Sequence, residues 1–207
     1  MKKLFIVFEG IDGSGKSTQA KKLFSLLKEK YKDAVFFKFP THQSTEFGKI
    51  IDEYLSGKMG SLSEVPPEIP SLLYALDRYQ FKKELESANC VVCDRYWQSN
   101  LAHQAAKLRG RAREEFIDWL ICLDKRLPAP THVFLLDTPV ELAYQRIARE
   151  KKLDIHESDR AYMENVRAVY LMLAKRYKWH VINALDGKRE KSVEEIASEI
   201  LKVLKLG

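Results

Sequence analysis

A glycine-rich stretch constrains the fold of this chain more than any other feature. Residues 10–17 read GIDGSGKS and fit G-x-x-x-x-G-K-[ST], with an apolar run at 4–8 before them and a helical pattern after them. In such a strand–loop–helix context, glycines let successive backbone N–H groups face an anion at the positive end of the helix. An ordinary strand-to-helix turn would not need the lysine and the hydroxyl at these positions. The stretch therefore predicts a phosphate-binding loop, or P-loop.

The members of this loop have separate chemical tasks. Lys16 would reach the outer phosphates of a nucleotide, and the Ser17 hydroxyl would hold Mg²⁺. We predict that the loop binds ATP, with Mg²⁺ as cofactor, through Gly10, Asp12, Gly13, Ser14, Gly15, Lys16, Ser17 and Thr18.

Length and composition favour a single intracellular domain. The 207 residues are 45% apolar without a linker-like stretch, so we expect one domain over 1–207. The net charge of +6 is interleaved with acids, which is typical of a solvated surface rather than of nucleic-acid binding. No apolar run reaches the roughly 20 residues that cross a membrane. The 3 cysteines and the lack of a signal peptide favour the cytoplasm, and Cys90-x-x-Cys93 has no second ligand pair that would indicate a metal site.

Strand-like and helix-like patterns alternate along the chain. Apolar strand patterns lie at 4–8, 34–39, 90–93, 132–137 and 178–183. Helical patterns follow the loop to about residue 30 and then lie at 45–55, 71–87, 98–108, 111–123, 140–151, 160–177 and 192–206, with a proline-containing connection at 60–70. The last helix begins with a Ser192-x-x-Glu195 capping box. The alternation predicts an α/β fold, a P-loop NTPase three-layer sandwich whose five-stranded, mainly parallel sheet is flanked by helices.

Two polar residues follow the third strand, where parallel-sheet proteins gather their chemistry. Asp94 is placed to order Mg²⁺ through water, facing the glycine loop. Arg95 is permanently charged and can grip a phosphate in two places. The alternative is a helix cap with a surface salt bridge, which the P-loop in the same chain disfavours.

A charged segment at about 146–160 has two interpretations. The helix at 140–151 delivers Arg146 and Arg149, followed by Lys151 and Lys152, to this segment. A basic helix face is usually solvated surface. In a phosphoryl-transfer protein it can also be a mobile lid that closes arginines over the transferred group and excludes water.

Taken together, these motifs resemble the thymidylate kinases among the nucleoside monophosphate kinases. Nearly the whole chain contributes, because the motifs come in that family's order: Phe8–Gln19 (FEGIDGSGKSTQ), Phe39-Pro40, Tyr74-x-x-Asp77-Arg78, Asp94-Arg95-Tyr96-x-x-Ser99 and Asp137-x-Pro139. The last-but-one motif together with Asp77-Arg78 favours this family over adenylate or guanylate kinases. The resemblance implies transfer of the γ-phosphoryl group from ATP to dTMP, giving ADP and dTDP, by a homodimer with small-molecule substrates.

The resemblance also implies roles around dTMP. Tyr74 would stack on the pyrimidine, and Arg78 would donate to a base carbonyl. Asp12 would accept from the sugar 3′-hydroxyl. The remaining implied contacts are a polar pair at the base edge, an apolar wall and an arginine between the two phosphates, namely Ser99, Asn100, Phe39, Pro40 and Arg95. The simpler alternatives are core aromatics for Tyr74 and Phe39, and a helix-surface ion pair of Arg78 with Asp77.

Three positions depart from the family pattern. Gly13 stands where some members carry arginine, so we expect the catalytic positive charge to come from the lid, with Arg149 first and Arg146 next. His42 stands where relatives often have the arginine that grips the acceptor phosphate. His103 stands where an aromatic commonly crowds the sugar 2′ position, and its imidazole could either exclude a ribose hydroxyl or donate to it.

Further residues are predicted to contact Mg²⁺ and adenine. Glu9 would orient Mg²⁺ or Arg95, and the resemblance places adenine between Arg146 and the loop after Asn183-Ala184.

A deoxynucleoside kinase would share these motifs but needs a base near a hydroxyl, for which Asp12 is the candidate. A P-loop switch or ATPase without a monophosphate acceptor is the non-enzymatic or hydrolytic rival.

Overall fold

The computed structural model describes residues 3–150, 154–157 and 159–206, and a parallel sheet forms its centre. Within the described residues, the sheet has five strands in the order β2-β3-β1-β4-β5. The strands are β1 (Leu4–Glu9), β2 (Val35–Lys38), β3 (Cys90–Asp94), β4 (His132–Asp137) and β5 (His180–Asn183). All four pairings are parallel, which confirms the predicted α/β sandwich.

The register of the central strands positions the chemistry. Phe8 of β1 lies opposite Asp94 of β3, and Glu9 lies opposite Leu135 of β4. The glycine loop leaves β1 at this edge, directly beside the end of β3. The residues predicted to bind phosphate and metal are therefore brought together by strand order alone.

Helices cover the two faces of the sheet. Their bounds are α1 (Lys16–Lys30), α2 (Glu46–Leu55), α3 (Glu68–Tyr79), α4 (Lys82–Ser87), α5 (Trp97–Ala105), α6 (Gly110–Asp124), α7 (Val140–Glu150), α8 (Arg160–Tyr177) and α9 (Val193–Leu204). The capping box of α9 is present as predicted, because Ser192 Oγ accepts from the Glu195 N–H and the Glu195 carboxylate accepts from the Ser192 N–H. No helix in the described ranges is both long and apolar enough to cross a membrane.

The core is divided by the sheet. In β1, Ile6 and Phe8 pack into the layer that contains α1 and α9, whereas Phe5 and Val7 face the opposite side. Helices α5, α6 and α8 form a cluster on that other side, with α8 against β4. A strand buried on both faces reads as a continuous apolar run, which is why this strand was predictable.

Three segments differ from the sequence-based prediction. The helix predicted at 71–87 is two helices, and α3 already begins at Glu68 because Pro70 lies in its first turn, where no intrahelical N–H is needed. Phe81 interrupts the helical run and packs against the rings of Phe37 and Phe39. The fifth strand begins at His180 because Lys178 adopts φ +55° at the end of α8.

A small hairpin was not predicted. Strands β6 (Leu185–Asp186) and β7 (Arg189–Glu190) pair antiparallel around Gly187, whose φ is +59°. Gly187 supplies the positive φ that such a tight turn requires. The hairpin follows β5 and lies next to the donor end of the site described below.

Candidate active site

The glycine loop has the geometry that phosphate binding requires. Gly13 and Gly15 adopt φ of +74° and +91°, and a Cβ at Gly13 would collide with the Ala143 backbone. The Lys16 ammonium donates to the Ile11 carbonyl at 2.7 Å. Burial, followed by the charge of Arg95, lowers the pKa of Lys16 to about 8, although nearby carboxylates oppose the shift. The loop thus holds a cation whose proton is lost more easily than in water.

A single cavity of about 490 Å³ joins this loop to the predicted dTMP residues. Its volume lies within the usual range for small-molecule sites of about 300–1,000 Å³. Of the predicted site residues, those lining it are Asp12, Gly13, Ser14, Gly15, Lys16, Ser17, Thr18, Phe39, Pro40, His42, Tyr74, Arg78, Asp94, Arg95, Ser99, Asn100, His103 and Arg146. Gly10, Glu9, Arg149, Asn183 and Ala184 are not among the lining residues.

Ser17 and Asp94 form the pair predicted to hold the metal. Ser17 Oγ donates to Asp94 Oδ2 at 2.5 Å. No cluster of three or more His, Cys, Asp or Glu side chains suited to a metal occurs in the described parts of the chain. One hydroxyl and one carboxylate suit Mg²⁺, which retains waters and shares phosphate oxygens rather than filling a protein cage.

Arg95 lies at the centre of a hydrogen-bond network. Its backbone has φ +68°, a conformation that non-glycine residues rarely adopt, and its N–H donates to the Phe8 carbonyl. The guanidinium donates to Asp12 Oδ1 at 2.8 Å, and to Ser99 Oγ and Tyr170 OH at 3.1 Å each. These bonds fix the guanidinium beside the glycine loop before any ligand is bound.

Glu9 is a buried carboxylate that serves this network. It is fully buried, and its oxygens accept from Ser99 Oγ at 2.5 Å, Tyr170 OH at 2.9 Å and the Tyr96 N–H at 2.9 Å. Burial raises the pKa of Glu9, whereas Arg95 and these hydrogen bonds oppose the rise. Of its two predicted roles, this geometry favours orienting Arg95, because Ser99 and Tyr170 contact both side chains. The metal role stays a prediction.

Asp12 faces both cations of the site. Burial alone would raise the pKa of the Asp12 carboxyl, but Arg95 and Lys16 outweigh it and hold that pKa well below its usual range. Asp12 therefore stays ionised and is a weak base. This disfavours the rival reaction in which Asp12 would deprotonate a nucleoside hydroxyl.

Arg78 has a partner that the sequence did not reveal. Its guanidinium is 2% exposed and donates to both carboxylate oxygens of Asp124, at 3.3 and 2.7 Å. The alternative of an ion pair with Asp77 is wrong, because Asp77 instead accepts from the Thr41 N–H and hydroxyl. Arg78 still lines the cavity beside Tyr74. The pairing with Asp124 fixes the plane of the guanidinium in the cavity wall.

Buried amides without partners mark the same part of the cavity. Asn100 donates to the Ser71 carbonyl at 3.1 Å, but its Oδ1 has no partner. Gln104 is fully buried, lines the cavity and has no partner for either its oxygen or its nitrogen. Since a buried unpaired polar group is costly, these amides are candidates to bind a ligand. Gln98 Oε1 and Thr138 Oγ1 are unpaired as well, but neither residue lines the cavity. Gln104 was missed, although its i+4 spacing from Asn100 on α5 was visible in the sequence.

His103 is held neutral by its surroundings. Burial lowers the pKa of His103 well below its usual value, and Arg95 lowers it further. His103 Nε2 lies 3.3 Å from Arg95 Nη1, which can only donate, so Nε2 accepts. The proton then resides on Nδ1, which lies 3.4 Å from Tyr162 OH. Both ring nitrogens face protein groups.

The end of the cavity beside Arg146 contains one predicted ATP-site residue and leaves two outside its lining. Arg146 donates to the Gly13 carbonyl at 2.8 Å and pairs with Glu190 of the β6–β7 hairpin. Asn183 is exposed within β5 and the Ala184 N–H donates to Asp137, so both lie outside the lining. Further along the same segment, Glu190 and Lys191 do line the cavity. Gln19, Val193 and Ile196 also line it and were not among the predicted residues.

The segment predicted to be a lid is only partly described. Arg149 is exposed on the last turn of α7, while Asp154, His156 and Glu157 line the cavity. The predicted basic residues Lys151 and Lys152 lie outside the described residues. His156 is buried, and its Nε2 lies 2.9 Å from Tyr54 OH.

Comparisons with known proteins match nearly the whole chain to one family. The family model for thymidylate kinase matches residues 8–200. A probable thymidylate kinase of Pyrococcus abyssi is 35% identical over 212 residues, covering 99% of this chain and 97% of that protein. Another, of Methanocaldococcus jannaschii, is 39% identical over 206 residues, covering 98% and 96%.

Solved structures agree in fold. A thymidylate kinase of Candida albicans superposes with a TM-score of 0.76 at 24% identity, covering 99% of this chain and 92% of that one. One of Ehrlichia chaffeensis gives a TM-score of 0.70 at 24% identity, covering 99% and 100%. With the family model matching nearly its full length, the chain belongs to the thymidylate kinase family.

Proposed function

We propose that the protein transfers the γ-phosphoryl group of ATP to dTMP and releases ADP and dTDP. The observation that carries this proposal is one cavity in which the glycine loop, Arg95 and the unpaired amides of Asn100 and Gln104 meet. A hydrolase or nucleotide switch needs the loop but has no use for a second, base-sized set of unpaired polar groups.

The donor is bound by the loop backbone and Lys16, with Arg146 and Glu190 beside the nucleotide. Ser17 and Asp94 would hold Mg²⁺, which when bound neutralises charge on the phosphates. Little covalent chemistry is required of the protein, because the acceptor phosphate is itself a nucleophile. Positioning and charge neutralisation supply the rate enhancement.

Arg95 is the residue we assign to the space between donor and acceptor phosphates. Its hydrogen bonds to Asp12, Ser99 and Tyr170 hold the guanidinium in place, so little reorganisation is needed as charge moves. Arg146 is engaged with Gly13 and Glu190, which leaves Arg149 as the preferred lid arginine. Its exposed position requires the lid to close during the reaction.

The base is read by amide and guanidinium groups. Tyr74 would stack on the ring, and Arg78, oriented by Asp124, would donate to a carbonyl. Thymine offers one N–H between two carbonyls, and an amide oxygen such as Asn100 Oδ1 can accept from that N–H. The Gln104 amide can donate to one of the carbonyls. A base with the reverse pattern of donors would leave these groups unpaired, and that base would therefore bind more weakly than thymine.

The sugar is held by Asp12 and limited by His103. Because both nitrogens of His103 face Arg95 and Tyr162, the ring has no donor for a 2′-hydroxyl. Of the two predicted possibilities, this supports exclusion of ribose by size. A deoxyribose 3′-hydroxyl can donate to Asp12, whose lowered pKa keeps it ionised.

We further propose that the enzyme is a cytoplasmic homodimer. Ile69, Leu72 and Leu76 of α3 are 42–47% exposed and share one helix face, and Trp119 of α6 is 37% exposed. Contiguous apolar side chains of this kind are typical of an interface between subunits. Cys122 is a free, exposed thiol, which fits a reducing compartment.

Acceptor-dependent ADP release tests the proposed reaction. Purified protein with ATP and Mg²⁺ is assayed with dTMP, dUMP, UMP, dCMP, AMP, GMP, thymidine or no acceptor. We expect dTMP to give the highest kcat/KM and UMP to be poorer than dUMP. ADP release that is equal without an acceptor, or fastest with thymidine, would refute the assignment.

A further inference from the structure

The turn that carries His42 is built against helix α2. His42 begins a short 3-10 turn at 42–44, with φ +50°. Gly48 of α2 lies directly beneath it, and a Cβ there would collide with the His42 backbone. Thr45 caps the helix by accepting from the Gly48 N–H at 3.0 Å. The position of His42 is therefore fixed by close backbone contact rather than left to a flexible loop.

Asp52 fixes the orientation of the imidazole. Its Oδ1 lies 2.6 Å from His42 Nδ1, and its Oδ2 accepts from Gln43 Nε2 at 2.6 Å. A carboxylate only accepts, so Nδ1 carries a proton. The opposite ring nitrogen, Nε2, then points away from Asp52. A carboxylate that orients a histidine in this way sets which nitrogen meets a ligand.

His42 lines the active-site cavity next to Phe39 and Pro40, the predicted wall of the dTMP site. Several cationic side chains of the lining are paired with protein carboxylates, namely Arg78 with Asp124, Arg95 with Asp12, Arg146 with Glu190 and Lys191 with Glu199. Lys16 and Lys38 line the same cavity and have no carboxylate partner among the contacts of the described residues. His42 is also paired, but only through Nδ1 in the contacts described, and its side chain is 44% exposed. It can therefore face a second anion from its other nitrogen.

We propose that Asp52 is a positioning residue that directs Nε2 of His42 at the phosphate of the monophosphate acceptor. The inference rests on the proposed function and deepens it. An imidazolium carries an N–H on each ring nitrogen, so a charged histidine between a carboxylate and a phosphate donates to both. His42 thus binds the acceptor phosphate in this chain, and Asp52 orients it.

Comparing a ligand with and without phosphate tests this role. Dissociation constants for dTMP and for thymidine are measured by calorimetry for wild type, His42→Ala, Asp52→Asn and the double variant. We expect His42→Ala to weaken dTMP binding about 10- to 100-fold, as for a lost charge-assisted hydrogen bond. Asp52→Asn should weaken it about 5- to 10-fold, and the double variant should bind dTMP no more weakly than His42→Ala alone, because Asp52 acts through His42. Thymidine binding should change less than about 2-fold in every variant.

Two more variants sharpen the test. Glu53→Gln removes the same charge from the adjacent position of α2, where Glu53 pairs with exposed Lys58, and should leave dTMP binding unchanged. His42→Arg should bind dTMP within about 3-fold of wild type, because a guanidinium grips phosphate directly. Wild-type protein that does not bind dTMP would refute the proposed function instead. Asp52→Asn that weakens thymidine as much as dTMP, or that leaves dTMP binding intact, would overturn the positioning role.

Discussion

The buried amide of Gln104 should lower folding stability while contributing to binding of the base. Both amide atoms are buried without a partner, which opposes folding. Gln104→Leu should therefore keep or raise the thermal midpoint while lowering kcat/KM for dTMP by about 10-fold, since one ligand hydrogen bond is lost.

Thermal unfolding and steady-state kinetics on the same preparation check this pair of effects. Leu101→Met, a conservative change in the buried core of the same helix, serves as control and should leave kcat/KM for dTMP unaltered. Unchanged dTMP kinetics in Gln104→Leu would contradict the assignment of Gln104 to the base.

Arg149 is the arginine that we propose to act from the lid. If it closes over the transferred phosphoryl group, Arg149→Ala should lower kcat by about 10³-fold with a smaller effect on KM. Arg176→Ala is the matched control. Arg176 of α8 is also exposed, but it pairs with Glu114 of α6. A loss below about tenfold would remove Arg149 from the mechanism.

The lowered pKa of Lys16 should make activity and folding stability change in opposite directions as the pH rises. Its pKa of about 8 means that the charged form, to which we assign phosphate binding, is lost above that pH. We expect kcat/KM for ATP to fall as the pH rises through 8. The unfolded chain holds this proton up to the ordinary lysine pKa of 10.5, so the Lys16 contribution to folding stability rises between about pH 8 and 10.5.

The measurement is a pH series of kcat/KM for ATP. Lys107 also has a pKa lowered to about 8, mainly by burial, so Lys107→Met separates the two lysines. The fall in kcat/KM should persist in that variant. A flat profile, or one abolished by Lys107→Met, would contradict the Lys16 assignment.

At the scale of elements, α9 depends on its capping box. Ser192→Ala removes the acceptor for the Glu195 N–H and should cost about 1 kcal/mol of unfolding free energy. Ser198→Ala, an exposed site within the same helix, should be neutral or slightly stabilising because alanine favours helix. Chemical denaturation of both variants checks the contrast, and equal effects would show that the box contributes nothing.

The same scale shows what the sequence could and could not predict. Strand β1, the glycine loop and helix α8 were predictable because their apolar runs and turn residues are local signals. The start of α3 was not predictable from the same signals. Pro70 marks a break in the helical pattern, but it lies in the first turn of α3, where a helix tolerates proline. Arg78 with Asp124 joins residues 46 positions apart, and no local pattern encodes such a pair.

At the scale of the whole molecule, the exposed apolar face of α3 predicts self-association. Leu72→Glu should shift the protein from dimer to monomer, because a charge cannot be buried unpaired in an apolar interface. Leu26→Glu, at a similarly exposed site on α1, is the control and should leave the mass unchanged. Light scattering distinguishes the two, and a wild-type protein that is monomeric at all concentrations would contradict the prediction.

The central claim is that one cavity binds both nucleotides and passes a phosphoryl group between them. The most direct measurement follows the label from γ-³²P-ATP by chromatography in the presence of dTMP and Mg²⁺. We expect label to appear in dTDP in step with ADP formation, and Lys16→Ala to abolish both. Label recovered as inorganic phosphate, or ADP formation that does not depend on dTMP, would contradict it.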